Sequence, residues 1–147
     1  MMKIRIINGP NLNLLGKRET GIYGNQTLEA IMQAAVEHGR KAGIEVEWVQ
    51  HNDEGAIVTA IQESRGKVDG LVLNPAAYTH TSVAIRDALQ AVAIPCVEVH
   101  LSNIHAREGF RQTSLTAPAC IGQISGFGAA SYRLGIDALA GQMKKNG

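Results

Sequence analysis

The chain has 147 residues, 45% apolar but only 4% aromatic, and a formal net charge of +1. That length suits one compact domain, 1–147, which buries roughly 70% of its unfolded-chain surface, so a core of Ile, Val, Leu and Ala needs no disulfide or metal staple. A near-neutral chain with no basic run has no long-range field for nucleic acid or an anionic membrane, and no segment nears the ~18 apolar residues of a membrane span, which leaves a small molecule as the expected partner.

Residues 3–8 read as a first strand, and Lys3-Ile4-Arg5-Ile6-Ile7 is no signal peptide, so a cytoplasmic location is expected. Residues 9–25 form the one long irregular segment, and a loop of that length in a small domain is more often functional than idle. Leu28, Ile31, Met32, Ala35, Val36 and Gly39 recur at helical spacing behind Thr27, a plausible N-cap with Glu29 in the first turn. Ile44, Val46 and Trp48 interleave with Glu45, Glu47 and Gln50, the pattern of an edge strand, and a short helix follows over about 54–64. Leu71-Val72-Leu73 is unbroken and suits a strand covered on both faces. A third helix begins near Thr81 with Ile85, Ala88, Leu89 and Val92 inward. A strand at 94–100 has Pro95 near its start, and a last strand at about 119–124 leads through Gly126-Phe127-Gly128 into a helix that buries Tyr132, Ile136, Leu139 and Met143. Cys96 and Cys120 have neither CxxC spacing nor a His cluster and read as buried reduced thiols.

Five strands alternating with four helices specify an α/β sandwich of three layers, with helices on both faces of a parallel sheet joined by right-handed crossovers. An edge second strand favours the flavodoxin-like order 2-1-3-4-5, in which strands 1 and 3 meet at the switch point where ligands bind. Three polar segments follow strands directly: Asn8-Gly9-Pro10-Asn11, Asn74 to His80, and Glu98-Val99-His100-Leu101-Ser102. They should share one rim. The stretch Gly9 to Gly16-Lys17 is no phosphate loop, because its glycines lie too far apart and Arg18 stands where Ser or Thr is needed, and no GxGxxG follows a strand.

Glu98 and His100 are two apart on one strand, so they leave the same face, and a carboxylate there can fix the imidazole tautomer for general-acid work. The plainer alternative is an ion pair at a strand end, and the rim position weighs against it. Arg18 and Tyr23 share the long loop; a desolvated guanidinium favours the phenolate, and lowering a phenol by about three pK units takes roughly 4 kcal/mol. For that pair alone, a packed Tyr beside a solvated Arg is the safer reading. Asn11 and Asn74 can hold a water or a hydroxyl without fixing a charge, or serve simply as turn formers. His80 fits hydroxyl recognition beside a helix start that Thr79 or Thr81 could cap. Arg107 and Arg111 add positive charge after the fourth strand, either solvated or facing a substrate anion. Asp87 is bland within one subunit, and His38, His51 and His105 show no constellation.

Asn8-Gly9-Pro10-Asn11-Leu12-Asn13, Leu15-Gly16 with Arg18-Glu19, Tyr23-Gly24, Asn74-Pro75 with Tyr78-Thr79-His80-Thr81-Ser82, and Glu98-Val99-His100-Leu101-Ser102-Asn103 together strongly resemble the type II 3-dehydroquinate dehydratases. The likeness runs over essentially the whole chain. It implies a lyase converting 3-dehydroquinate to 3-dehydroshikimate and water in the shikimate pathway, with no metal, cofactor or Schiff base. By the resemblance, Tyr23 is the base at C2, Arg18 the cation beside it, His100 the acid oriented by Glu98, and Asn11 the holder of a water at the enolate oxygen. Asn74, His80 and Arg111 are implied ligands of the ring hydroxyls, and Leu101 and Ser102 of the carboxylate. Also implied are a lid over 9–25 and a dodecamer of four trimers in which Asp87 reaches a neighbouring site. Departures are slight: Ala76 stands where Gly is frequent and Thr20 where Pro is frequent. A binding module on the same fold, or a Schiff-base dehydratase with a lysine at the rim, are the competing expectations.

Overall fold

In the computed structural model, which describes residues 1–17 and 25–146, the first apolar run forms strand β1 (Met2–Asn8). Four more strands follow: β2 (Ile44–Gln50), β3 (Gly70–Asn74), β4 (Cys96–His100) and β5 (Gly122–Ser125). All pair in parallel in the order β2-β1-β3-β4-β5, the flavodoxin-like arrangement, with β2 at the edge as its alternation predicts.

The helices are α1 (Leu28–Lys41), α2 (Glu54–Glu63), α3 (Val83–Val92) and α4 (Ala130–Asn146). Helix α1 begins where Thr27 Oγ1 accepts the Ala30 N–H at 3.2 Å, with Glu29 in its first turn and Arg40 and Lys41 in its last, charges that complement the helix dipole. Period-two alternation along the strands divides the core. Ile4, Ile6, Val72, Val97 and Val99 pack against α1 and α4 on one face, and Ile7, Leu71, Leu73 and Cys96 against α2 and α3 on the other. Each such buried aliphatic side chain contributes about 1.5–3 kcal/mol. His38, which shows no constellation in the sequence, meets Asp137 of α4 with Nε2 and Oδ1 2.7 Å apart, tying α1 to α4.

Three boundaries differ from the sequence reading. Helix α3 is capped by neither Thr79 nor Thr81 but by Ser82, whose Oγ accepts the Ile85 N–H at 2.9 Å; residues 76–80 instead form a 3-10 turn. Strand β4 starts at Cys96 rather than 94, after the imino nitrogen of Pro95. Strand β5 begins at Gly122 rather than 119, because Ala117–Ala119 close a 3-10 turn in which the Cys120 N–H reaches the Ala117 carbonyl. Both cysteines are free, Cys96 buried and Cys120 half-buried. Among the described residues no helix is long and apolar enough to cross a membrane.

Candidate functional site

Strands β1 and β3 end in register, Asn8 opposite Asn74, and the chain leaves both ends in close contact. The Gly9 N–H donates to the Asn74 carbonyl at 2.8 Å, and a Cβ on Gly9 would lie 2.5 Å from the Pro75 carbonyl oxygen, so only glycine lets these loops approach. Asn11 then turns left-handed at φ 69°, and its N–H donates to Asn52 Oδ1 at 3.1 Å before the 3-10 turn Leu12–Leu14. Ala76 also sits in the left-handed region, at φ 52°, where a glycine would carry no steric cost.

Behind these loops is an uncharged network on the α1/α4 face. Tyr132 of α4, fully buried, donates its hydroxyl to Asn8 Oδ1 at 2.6 Å and accepts from Asn74 Nδ2 at 2.9 Å. Asn74 Oδ1 in turn accepts the Ala76 N–H at 3.1 Å. Burial pushes the Tyr132 hydroxyl well above its ordinary titration range, against a smaller lowering by Asn74, so it stays protonated. Sequence periodicity marked Tyr132 only as an apolar inward position; nothing in the pattern pointed to its hydroxyl.

The opposite face carries the charged network. Glu98 is completely buried, and its Oε2 lies 2.9 Å from His100 Nε2. Oε2 also accepts Ser114 Oγ and Gln123 Nε2, each at 2.8 Å, while Oε1 accepts Thr116 Oγ1. Burial alone would raise the Glu98 carboxyl, but the bond and charge of His100 and the donors Thr116 and Gln123 outweigh it and hold it below the usual carboxylate range. An ionised carboxylate only accepts, so His100 carries its hydrogen on Nε2 and leaves Nδ1 for other work. The sequence flagged Glu98 and His100; it did not flag Ser114, Thr116 or Gln123, although Gln123 is the cross-strand partner of Glu98 once the β4–β5 register is known.

A cavity of about 370 Å³ opens at this rim, lined by Asn11, Asn74, His80, His100, Leu101, Ser102, Arg107 and Arg111, with Leu12, Leu14, Leu15 and Ile104 as apolar wall. That volume is at the small end of the range for small-molecule sites. His80 Nδ1 lies 2.9 Å from the Thr113 carbonyl, which can only accept, so the neutral ring presents Nε2 as an acceptor. The Arg111 guanidinium lies 4.9 Å over the Phe110 ring and has Glu108 Oε2 2.6 Å from Nε, close enough to pair in charge though off the hydrogen-bond angle. The His100 carbonyl accepts from the Gly126 N–H and the Ser131 hydroxyl of α4, the Leu101 carbonyl from the Gly128 N–H, and the Ser102 carbonyl from the Ser125 hydroxyl at the end of β5, which fixes the backbone along that wall.

Seven of the site residues expected from the sequence therefore line one cavity, and Glu98 stands directly behind His100. Asp87 does not join them; it is exposed on α3. Arg18 and Tyr23 lie outside the described residues. Among the described residues no lysine lines the cavity, and no group of three or more His, Cys, Asp or Glu side chains gathers as metal ligands would.

Fold and site together define an α/β protein with a ligand cavity at the switch point of its sheet. The sequence model of the class II dehydroquinases matches residues 2–140. The chain is 55% identical to the 3-dehydroquinate dehydratase of Clostridium acetobutylicum over 144 residues, covering 98% of this chain and 100% of that one. It is 52% identical over 147 residues to the enzyme of the same name from Ruegeria pomeroyi, covering 100% and 99%. The crystal structure of type II dehydroquinase from Butyrivibrio crossotus superposes with a TM-score of 0.92 at 52% identity, covering 95% of this chain and 97% of that one. The chain belongs to the class II dehydroquinase family.

Proposed function

We propose that this chain is a hydro-lyase that eliminates water from 3-dehydroquinate to give 3-dehydroshikimate, in the shikimate pathway of a cytoplasm. The observation that carries the proposal is the buried Glu98–His100 pair, 2.9 Å apart, on the wall of a small polar cavity. An α-proton beside a ketone calls for a strong base, a departing hydroxyl for an acid, and the enolate between them for fixed donors. Tyr23, ionised beside Arg18, removes the C2 proton, and the electron pair passes to the ketone oxygen as an enolate. Asn11 holds a water against that oxygen. The enolate then collapses as the C1–O bond breaks; His100, entering this step as an imidazolium with Nε2–H on Glu98 and a second proton on Nδ1, gives the Nδ1 proton to the leaving hydroxyl, and water departs.

In this reading Asn74, His80 through Nε2, and Arg111 hold the ring hydroxyls, and the carboxylate is received by the Leu101 and Ser102 backbone and the Ser102 hydroxyl. Residues 9–25 close over the substrate as a lid within the catalytic domain 1–147 and exclude water. Four trimers assemble as a dodecamer, and Asp87 contributes to the site of a neighbour. Among the described residues no lysine lines the cavity, which supports elimination through an enolate over a Schiff base, and borohydride with substrate should trap no adduct.

The test is spectrophotometric detection of enone formation from 3-dehydroquinate. Tyr23→Phe should fold normally and lose kcat by orders of magnitude. A variant within about tenfold of the parent would overturn the base assignment, and a parent chain that forms no enone would leave the binding-module reading in its place.

A further inference from the structure

Glu98 receives more donors than orientation of one imidazole requires, and every hydroxyl around it is polarised in one direction. Ser114 spends its single hydrogen on Glu98 Oε2 and Thr116 its own on Oε1. Thr79 Oγ1 stands 2.5 Å from Ser114 Oγ and 2.8 Å from Thr116 Oγ1, so its hydrogen can only point toward them. The dipoles therefore all run from Thr79 to the carboxylate, and a protonated Glu98, with one hydrogen to donate, would lose or reverse at least one of the bonds it now accepts. Gln123, opposite Glu98 on β5, adds a fourth donor. The same short segment is tied to the turn that bears His80: the Leu115 N–H donates to the Thr79 carbonyl at 2.7 Å, and Thr113 supplies the carbonyl held by His80.

We infer that Thr116, Ser114 and Gln123 are positioning residues that hold Glu98 as an oriented carboxylate behind His100, and that Thr79 couples this brace to the turn presenting His80. The inference deepens the proposed function and rests on it for the role of His100. None of the four lines the cavity, so each acts through Glu98 or His80 rather than on substrate. The titratable and charged groups around the pair are Cys96 on β4, Cys120 before β5, and His80, Arg107 and Arg111 on the cavity wall.

Thr116→Val keeps the shape and removes the donor; Gln123→Met does the same at a half-buried site, should the first variant not fold. Each is expected to lower kcat about tenfold with KM within about twofold, and Thr116→Ser to recover kcat to within about twofold. In the substrate-free protein, carbon NMR of the Glu98 carboxyl should find its titration midpoint moved upward in both donor-less variants and restored by Thr116→Ser. An unmoved midpoint overturns the inference, as does a loss in which KM rises in step with falling kcat and serine gives no rescue. A parent chain without dehydratase turnover would defeat the proposed function alone, because the Glu98 midpoint still decides whether the brace acts on the carboxylate.

Discussion

Two buried polar clusters stand at the same rim on opposite faces of the sheet, and they are built from different chemistry. On the α1/α4 face, Asn8, Asn74 and Tyr132 form a neutral set. On the α2/α3 face, Glu98 and His100 form an ionisable set wrapped in hydroxyls and an amide. Asn8, Asn74 and His100 are the last residues of their strands while Glu98 lies within β4, and each is a buried polar side chain that must find partners or be left unpaired at a cost. The neutral cluster holds geometry at the switch point without responding to pH in the ordinary range. The charged cluster can hold or release a proton, and its cost of burial is offset by four donors.

The difference can be broken most severely on the charged side. Glu98→Ala removes one partner from a buried pair and leaves His100 and three other donors facing a void, for which the expected loss is about 3–5 kcal/mol of unfolding free energy, read by urea denaturation. Tyr132→Phe is the matching cut on the neutral side. It strips one hydroxyl from Asn8 and Asn74, and a loss of about 1–3 kcal/mol is expected, with the acid-side behaviour of the protein unchanged.

The pH dependence of stability sharpens the contrast, because the two clusters should weaken at opposite ends of the scale. Glu98 is held below its ordinary 4.5, so its contribution is complete above about that pH and is lost as pH falls through the depressed folded value. Tyr132 is raised above its ordinary 10.0 by burial, so its protonated form favours the fold fully below that pH and the contribution drains away as pH climbs beyond it. Thermal melts across pH should lose the acid-side slope in Glu98→Gln and the alkaline slope in Tyr132→Phe; the same slopes in parent and variant would remove these groups as the cause.

The smallest change tests the turn between the two faces. Ala76 sits at φ 52°, where a side chain costs about 1–2 kcal/mol, and glycine would give back about 0.4–1 kcal/mol through the freer unfolded chain. Ala76→Gly should therefore stabilise the fold by roughly 0.5–1 kcal/mol. A fall in melting temperature would place the strain elsewhere.

Much of this architecture is legible in one dimension. Alternation at 44–50 marks the edge strand, the unbroken run at 71–73 marks a central one, and helical spacing after Thr27 marks α1, because burial periodicity is a local property of the chain. Element ends were less legible. Ser82 rather than Thr79 or Thr81 caps α3, since residues 76–80 coil into their own 3-10 turn and the Thr79 hydroxyl is engaged with Ser114 and Thr116.

For the site, sequence spacing alone determined that Glu98 and His100 share a face, since residues two apart on a strand must. It also placed three polar segments at strand ends, and the parallel order brings those ends together. The tertiary structure alone decided that Ser114, Thr116 and Gln123 converge on Glu98, with Thr79 behind Ser114 and Thr116, and that Tyr132 of α4 joins Asn8 to Asn74. Those partners lie between 16 and 124 residues apart, and contacts across such distances leave no periodic trace in the chain; they exist only once strand register and helix packing have set where each polar group must find its hydrogen bond.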